Sequence, residues 1–140
     1  MTVWHNIPQI YDELLESDGF TFITNKNVLL KNENYTTYGR YSVGNINGDF
    51  WTMKFDNNDE LLSSLKYGIN AIMAYFDLIE EEHPLLCPLH PTFGGWIRNG
   101  NELVIDPVSI YRELKHALSM AKMYNQEAIF DFKIMDEITL

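Results

Sequence analysis

Apolar residues recur at intervals of three and four through the middle of the chain, at Leu61, Leu65, Ile69, Ile72, Phe76 and Ile79. That spacing places them in one stripe on a helix, so the longest helix is expected over residues 59–82. Residues 56–59 offer several N-caps, and His83-Pro84 marks the end, because a residue before proline is steered out of the helical region. Near the start, Asn6, Pro8 and the spacing of Ile7, Ile10 or Tyr11, and Leu14 predict a shorter helix, with Gly19 as its stop.

From Phe20 the period changes from helical to two. Residues 20–24 and 28–31 read as strands around an Asn25-Lys26-Asn27 turn. Residues 35–43 and 50–55 read as two longer strands joined through residues 44–48, giving an antiparallel meander. Asn99-Gly100, between Trp96-Ile97-Arg98 and Asn101-Glu102-Leu103-Val104-Ile105, supplies the two positive-φ positions of a tight hairpin. Asp106-Pro107 then reads as a helix start, leading into a face of Ile110, Leu114, Ala117, Leu118 and Ala121, with Asn125 as its left-handed end. A last strand over residues 128–134 is expected to set Ala128, Phe130, Phe132 and Ile134 against Ile129, Asp131 and Lys133. The expected fold class is α+β: an antiparallel sheet with about three helices, closing on a hairpin–helix–strand unit over residues 95–134, in a single domain spanning residues 1–140.

Composition narrows the classes. Of the 140 residues, 46% are hydrophobic and 14% aromatic, enough to fill one core and far from the make-up of a disordered chain. The longest nearly uncharged stretch, residues 85–97, is broken by Pro88, Pro91, Gly94 and Gly95 and is too short to span a bilayer. The N-terminus has no basic start and apolar run of a secretion signal, and the one cysteine, Cys87, has no partner for an internal disulfide. A cytoplasmic location is expected, in a host cell if the chain is phage-encoded.

Twenty acids against ten lysines and arginines leave a formal charge of −10, which repels a phosphate backbone. The acids are grouped. Asp12, Glu13, Glu16 and Asp18 precede the first basic residue, Lys26, and Asp56, Asp59, Glu60, Asp77, Glu80, Glu81 and Glu82 share their segment with Lys66 alone. Arg112, Lys115 and Lys122 gather later in the chain.

Residues 94–132 carry Gly94-Gly95-Trp96-Ile97, a hairpin running to Val104-Ile105-Asp106, a helix with Glu113, Ala117 and Ala121, and Asn125-Gln126-Glu127-Ala128-Ile129-Phe130-Asp131. This pattern resembles a segment that recurs in uncharacterised bacteriophage proteins. The resemblance implies a phage origin and brings no catalytic residues with it. Packing accounts for the same positions: glycines for a tight strand entry, Trp96 as a core anchor, alanines for close helix-to-sheet approach.

Catalytic chemistry finds little to work with. His83, Cys87 and His90 could ligate zinc, but structural zinc prefers four ligands, usually with paired cysteines, and Pro84 and Pro88 interrupt the spacing. A thiol–imidazole pair within that loop lacks any surrounding signature. Asp106 and Asp131 could form a carboxylate pair, yet Asp106 has a capping role and Asp131 an edge position to explain it. No phosphate loop, dinucleotide fingerprint or zinc-protease helix is present. No metal and no cofactor are expected.

Glu80-Glu81-Glu82 asks for more than a bland explanation. It lies at a helix C-terminus, where the macrodipole disfavours negative charge. A solvated helix end would tolerate it, whereas attraction to a basic partner would give it a purpose. The expectation is a small, non-enzymatic, acidic binding protein of phage type, whose Asp77, Glu80, Glu81 and Glu82 contact a basic surface of a host protein, such as a nucleic-acid-handling or anti-phage defence component, and block it. Direct nucleic-acid or membrane binding is not expected. Two other classes would look different: a small metal- or cysteine-dependent enzyme would use the His83–His90 loop, and a homo-oligomeric structural or virion accessory protein would use exposed aromatics among Tyr35, Tyr38, Tyr41 and Trp51.

Overall fold

The structure is a computed structural model that describes residues 3–85 and 90–140. After a 3-10 turn, the elements run α1 (Ile7–Ser17), β1 (Gly19–Ile23), β2 (Val28–Leu29), α2 (Tyr35–Tyr38), β3 (Tyr41–Gly44), β4 (Trp51–Lys54) and α3 (Asn58–Glu82). They continue β5 (Thr92–Arg98), β6 (Glu102–Tyr111), α4 (Leu114–Met123), β7 (Ala128–Asp131) and β8 (Asp136–Thr139). The α+β class holds. The eight strands form one antiparallel sheet in the order β2-β1-β5-β6-β3-β7-β8, with β4 paired to β6 beside β3.

The organising strand is β6. Its first half pairs with β4, Trp51 facing Ile105, and its second half pairs with β3, Tyr41 facing Tyr111. On the other edge it pairs with β5 from Glu102 to Val108. The expected meander is therefore corrected: β3 and β4 follow each other along the same edge of β6 and do not pair with one another. The expected strand over residues 35–43 is also shorter, because Tyr35–Tyr38 form a helical turn and Gly39, at φ 142, breaks it before β3.

A second correction concerns Asp106-Pro107, which starts no helix. The β-forming run Val108-Ser109-Ile110-Tyr111 carries β6 straight on, and α4 begins only at Leu114. Pro107 is tolerated in mid-strand for a local reason. Its carbonyl accepts from Asn45 N–H, on the edge away from β5, so the missing N–H falls where β4 has ended and β3 begins. Asn125 does end α4, at φ 53, with its N–H bonded to Lys122 O and that of Gln126 to Ala121 O.

Three smaller expectations change. Asp18, at φ 60, rather than Gly19, closes α1. Gly94 and Gly95 lie inside β5, where a Cβ on Gly95 would meet the Phe20 ring, and Trp96 is 37% exposed rather than a core anchor. The last strand stops at Asp131, and its buried positions are Ile129 and Asp131, the opposite phase to that expected.

Antiparallel register decides which residues share a face. Phe20, Phe22, Phe93, Leu103 and Ile105 lie on the face covered by α1 and α3, in one cluster with Ile10, Leu14, Leu65, Ile69 and Ile72. On the same face further along β6, Tyr41, Val43 and Ile129 pack with Ala117 and Ala121 of α4. The opposite face carries Thr21, Ile23, Thr92, Val104, Asp106 and Val108, all buried and none of them part of the cluster under α1 and α3. The sheet curls enough for its two ends to meet: Asn32, just past β2, donates to the carbonyls of Phe132 and Lys133 in the β7–β8 turn.

Candidate functional site: an acidic helical layer

The four residues singled out for partner contact, Asp77, Glu80, Glu81 and Glu82, are all exposed on the last turns of α3. At 25 residues, α3 is about 37 Å long. Its start is well capped: Asn57 accepts from Glu60 N–H at 2.9 Å, and the Glu60 carboxylate returns a bond to Asp56 N–H at 3.1 Å. Its end has no basic residue in the last turn, and the His83 N–H closes it on Ile79 O.

Packing joins charges that are far apart in the chain. Because α1 and α3 share one apolar cluster, Asp12, Glu16 and Asp18 are brought onto the same helical layer as the acids of α3. Residues 7–18 hold four acids and no base, and residues 56–82 hold seven acids and Lys66. The two segments therefore sum to −10, the whole formal charge of the chain, while the rest balances nine acids against nine bases. This concentration in one layer was not evident from the sequence, where residues 7–18 and 56–82 are separated by four strands.

Within the layer, a groove of about 480 Å³ lies between α1 and the β2 region, lined by Asp12, Glu13, Glu16, Leu29 and Lys31. Glu13 is buried there and faces Lys31 Nζ at 3.5 Å.

Two buried aspartates were considered as a catalytic pair, and the fold keeps them apart. Asp131 lies level with Tyr41 and hence with Tyr111, five residues or roughly 17 Å along β6 from Asp106. The Arg40 guanidinium forks onto Asp131 with two bonds of 2.8 Å and holds its carboxyl below the usual range, with the Lys133 N–H contributing and burial opposing. Asp106 instead accepts from Phe50 N–H at 2.6 Å, and burial pushes its carboxyl up to about 6, with nearby Asp49 adding to the rise and Arg98 opposing it. Asp49 itself is engaged with Arg98, which also binds Glu102. Both aspartates thus have structural work at strand junctions.

The remaining candidates separate as well. His83 is exposed at the α3 end, and His90 lies with Nδ1 3.0 Å from the Asn25 amide nitrogen. Cys87 lies outside the described residues. Among the described residues, no group of three His, Cys, Asp or Glu side chains is placed to hold a metal ion. Arg112 is tied to the Thr36 and Thr37 carbonyls. Of the four aromatics considered for self-assembly, Tyr41 is buried, and Tyr35, Tyr38 and Trp51 are half-buried. Among the described residues, no helix is long and apolar enough to cross a membrane.

No protein-family model, no curated protein and no solved structure matches this chain.

Proposed function

We propose that this chain is a small acidic binding protein of phage type that places the α1–α3 layer against a basic surface of a host protein and blocks it. The observation that carries the reading is the collection of a formal charge equal to the whole chain's −10 on two helices and their immediate flanks, which share one apolar cluster. Exposed carboxylates of one sign attract a cationic surface over a screening length of about 10 Å at 0.1 M salt. A host surface built to bind phosphate presents lysines and arginines, and carboxylates compete for them through the same charge-assisted bonds. A nucleic-acid-handling or anti-phage defence component is a partner of that chemistry.

Asp77, Glu80, Glu81 and Glu82 form the part of the layer with no basic neighbour in the helix's last turn. The test is capture from a bacterial lysate by the native chain and by the Glu80→Lys, Glu81→Lys, Glu82→Lys triple variant, at about 0.1 M and about 1 M salt. Added duplex DNA then challenges the captured partner. The expected result is a basic partner that is lost at high salt, lost with the triple variant and displaced by DNA. Capture that ignores both salt and charge reversal overturns the proposal.

A further inference from the structure

Opposite its buried stripe, α3 carries a second apolar stripe, exposed at Tyr67, Ala74 and Leu78 and half-buried at Ala71. Leu61, Leu65, Ile69, Ile72 and Phe76 point into the core. Tyr67, Ala71, Ala74 and Leu78 recur at four, three and four residues on the other side of the same helix. Tyr67 is 63% exposed and Leu78 51%, with Ala74 exposed between them. Asp77, Glu81 and Glu82 border the stripe at its C-terminal end.

Such a layout has the parts of a helix-docking face. A tyrosine and a leucine supply anchors, two alanines between them let another backbone approach, and carboxylates at the rim set the sign of the partner. We infer that this face takes a basic amphipathic helix, whose apolar side lies along Tyr67, Ala71, Ala74 and Leu78 and whose lysines or arginines meet Asp77, Glu81 and Glu82. The inference rests on the acidic-layer reading and specifies the partner for it. Charge selects this occupant over a second copy, because pairing two α3 faces would bring two layers of the same sign together.

The decisive variant is Ala74→Glu. It is exposed and in a helix interior, and glutamate is a good helix former, so folding is preserved. It makes the surface more acidic while filling the gap between the two anchors. Two probes are titrated by fluorescence anisotropy: a Leu/Lys amphipathic helical peptide and a polylysine of equal charge. Docking on the stripe predicts that Ala74→Glu weakens the amphipathic peptide tenfold or more and leaves polylysine unchanged or tighter. The Tyr67→Ser, Leu78→Ser double variant should act on the peptide alone in the same way. If Ala74→Glu leaves the peptide as tight as before or tighter, the stripe is not the docking face, although the acidic-layer reading stands as long as charge reversal at residues 80–82 weakens both probes. If charge reversal affects neither probe, both readings fail. Dimerisation of the native chain by light scattering, abolished by Ala74→Glu, would overturn the inference in favour of a second copy.

Discussion

Beneath α1 and α3, fifteen described side chains are buried in one apolar cluster, whereas beneath α4 the cluster has five, two of them alanines. The surfaces above differ just as much. α1 and α3, with their flanks, carry the formal −10, while residues 112–124 hold Arg112, Lys115 and Lys122 against Glu113. Charge of one sign repels itself and destabilises a folded state. It is gathered here over the part of the molecule with the greatest apolar burial to offset it. The α4 half has less to spare and shows a different device, the Arg40–Asp131 ion pair at the β3–β7 seam.

Truncating matched isoleucines tests this contrast most strongly. Ile72→Ala, inside the larger cluster, should cost near the top of the roughly 2–5 kcal/mol range for such changes, since the surroundings cannot collapse onto the cavity. Ile129→Ala, in the small cluster, should lie near the bottom of it. Equal losses in urea denaturation would erase the distinction between the two halves.

Next in size is Arg40→Met, which leaves Asp131 buried without its cation and should clearly lower the unfolding midpoint at pH 7. The folded pKa of Asp131 is depressed, so its pairing contributes stability above the ordinary carboxylate pKa and loses it as pH falls through the lower folded value. Arg40→Met should abolish that acid-side loss. An unchanged acid limb would mean that the ion pair does not hold the seam.

Asp106 sharpens the comparison because its sign is opposite. With a folded pKa raised from 3.8 to about 6, the protonated form is the one the fold prefers. Between those values the unfolded chain has lost a proton that the folded chain keeps, so stability falls as pH rises, by up to roughly 3 kcal/mol at 1.36 per unit. Asp106→Asn keeps an acceptor for Phe50 N–H and should remove that slope. Denaturation midpoints from pH 4 to pH 7 decide it, and a slope that persists in the variant places its origin elsewhere.

Legibility in the sequence followed the range of the interaction responsible. The α3 stripe and the Asn99-Gly100 turn depend on neighbours within a few residues, and both stand in the structure, the stripe from Leu61 to Phe76 with Ile79 only half-buried. Asp106-Pro107 carries the local chemistry of a helix start, but tertiary pairing with β5 on one edge and β3 on the other makes it strand. The β-branched and aromatic run Val108, Ile110 and Tyr111 around Ser109 was the available hint. Arg40 and Asp131 are 91 residues apart, and nothing local announces their pairing. Likewise, Asp77 and Glu80–Glu82 could be picked out by charge, while the addition of the α1 acids to their layer required the packing of two helices on one sheet face.

The smallest stability effect is expected where the largest functional one is proposed. Glu80, Glu81 and Glu82 are exposed at the C-terminal end of α3, and the end of a helix carries a partial negative charge from its unsatisfied carbonyls. Each carboxylate there is disfavoured by roughly 0.3–1 kcal/mol at low salt, and a lysine in the same place is favoured by a similar amount. Replacing all three by lysine also relieves repulsion with Asp77, one helical turn away from Glu80 and Glu81. The triple variant should therefore be as stable as the native chain or slightly more so, with the gain shrinking as salt is added. Thermal unfolding at low and high salt measures this directly. A stable, well-folded variant that no longer captures the partner would separate the surface from the core beneath it; one that unfolds would show that the acidic helix end contributes to the fold, and would break the contrast between the two halves.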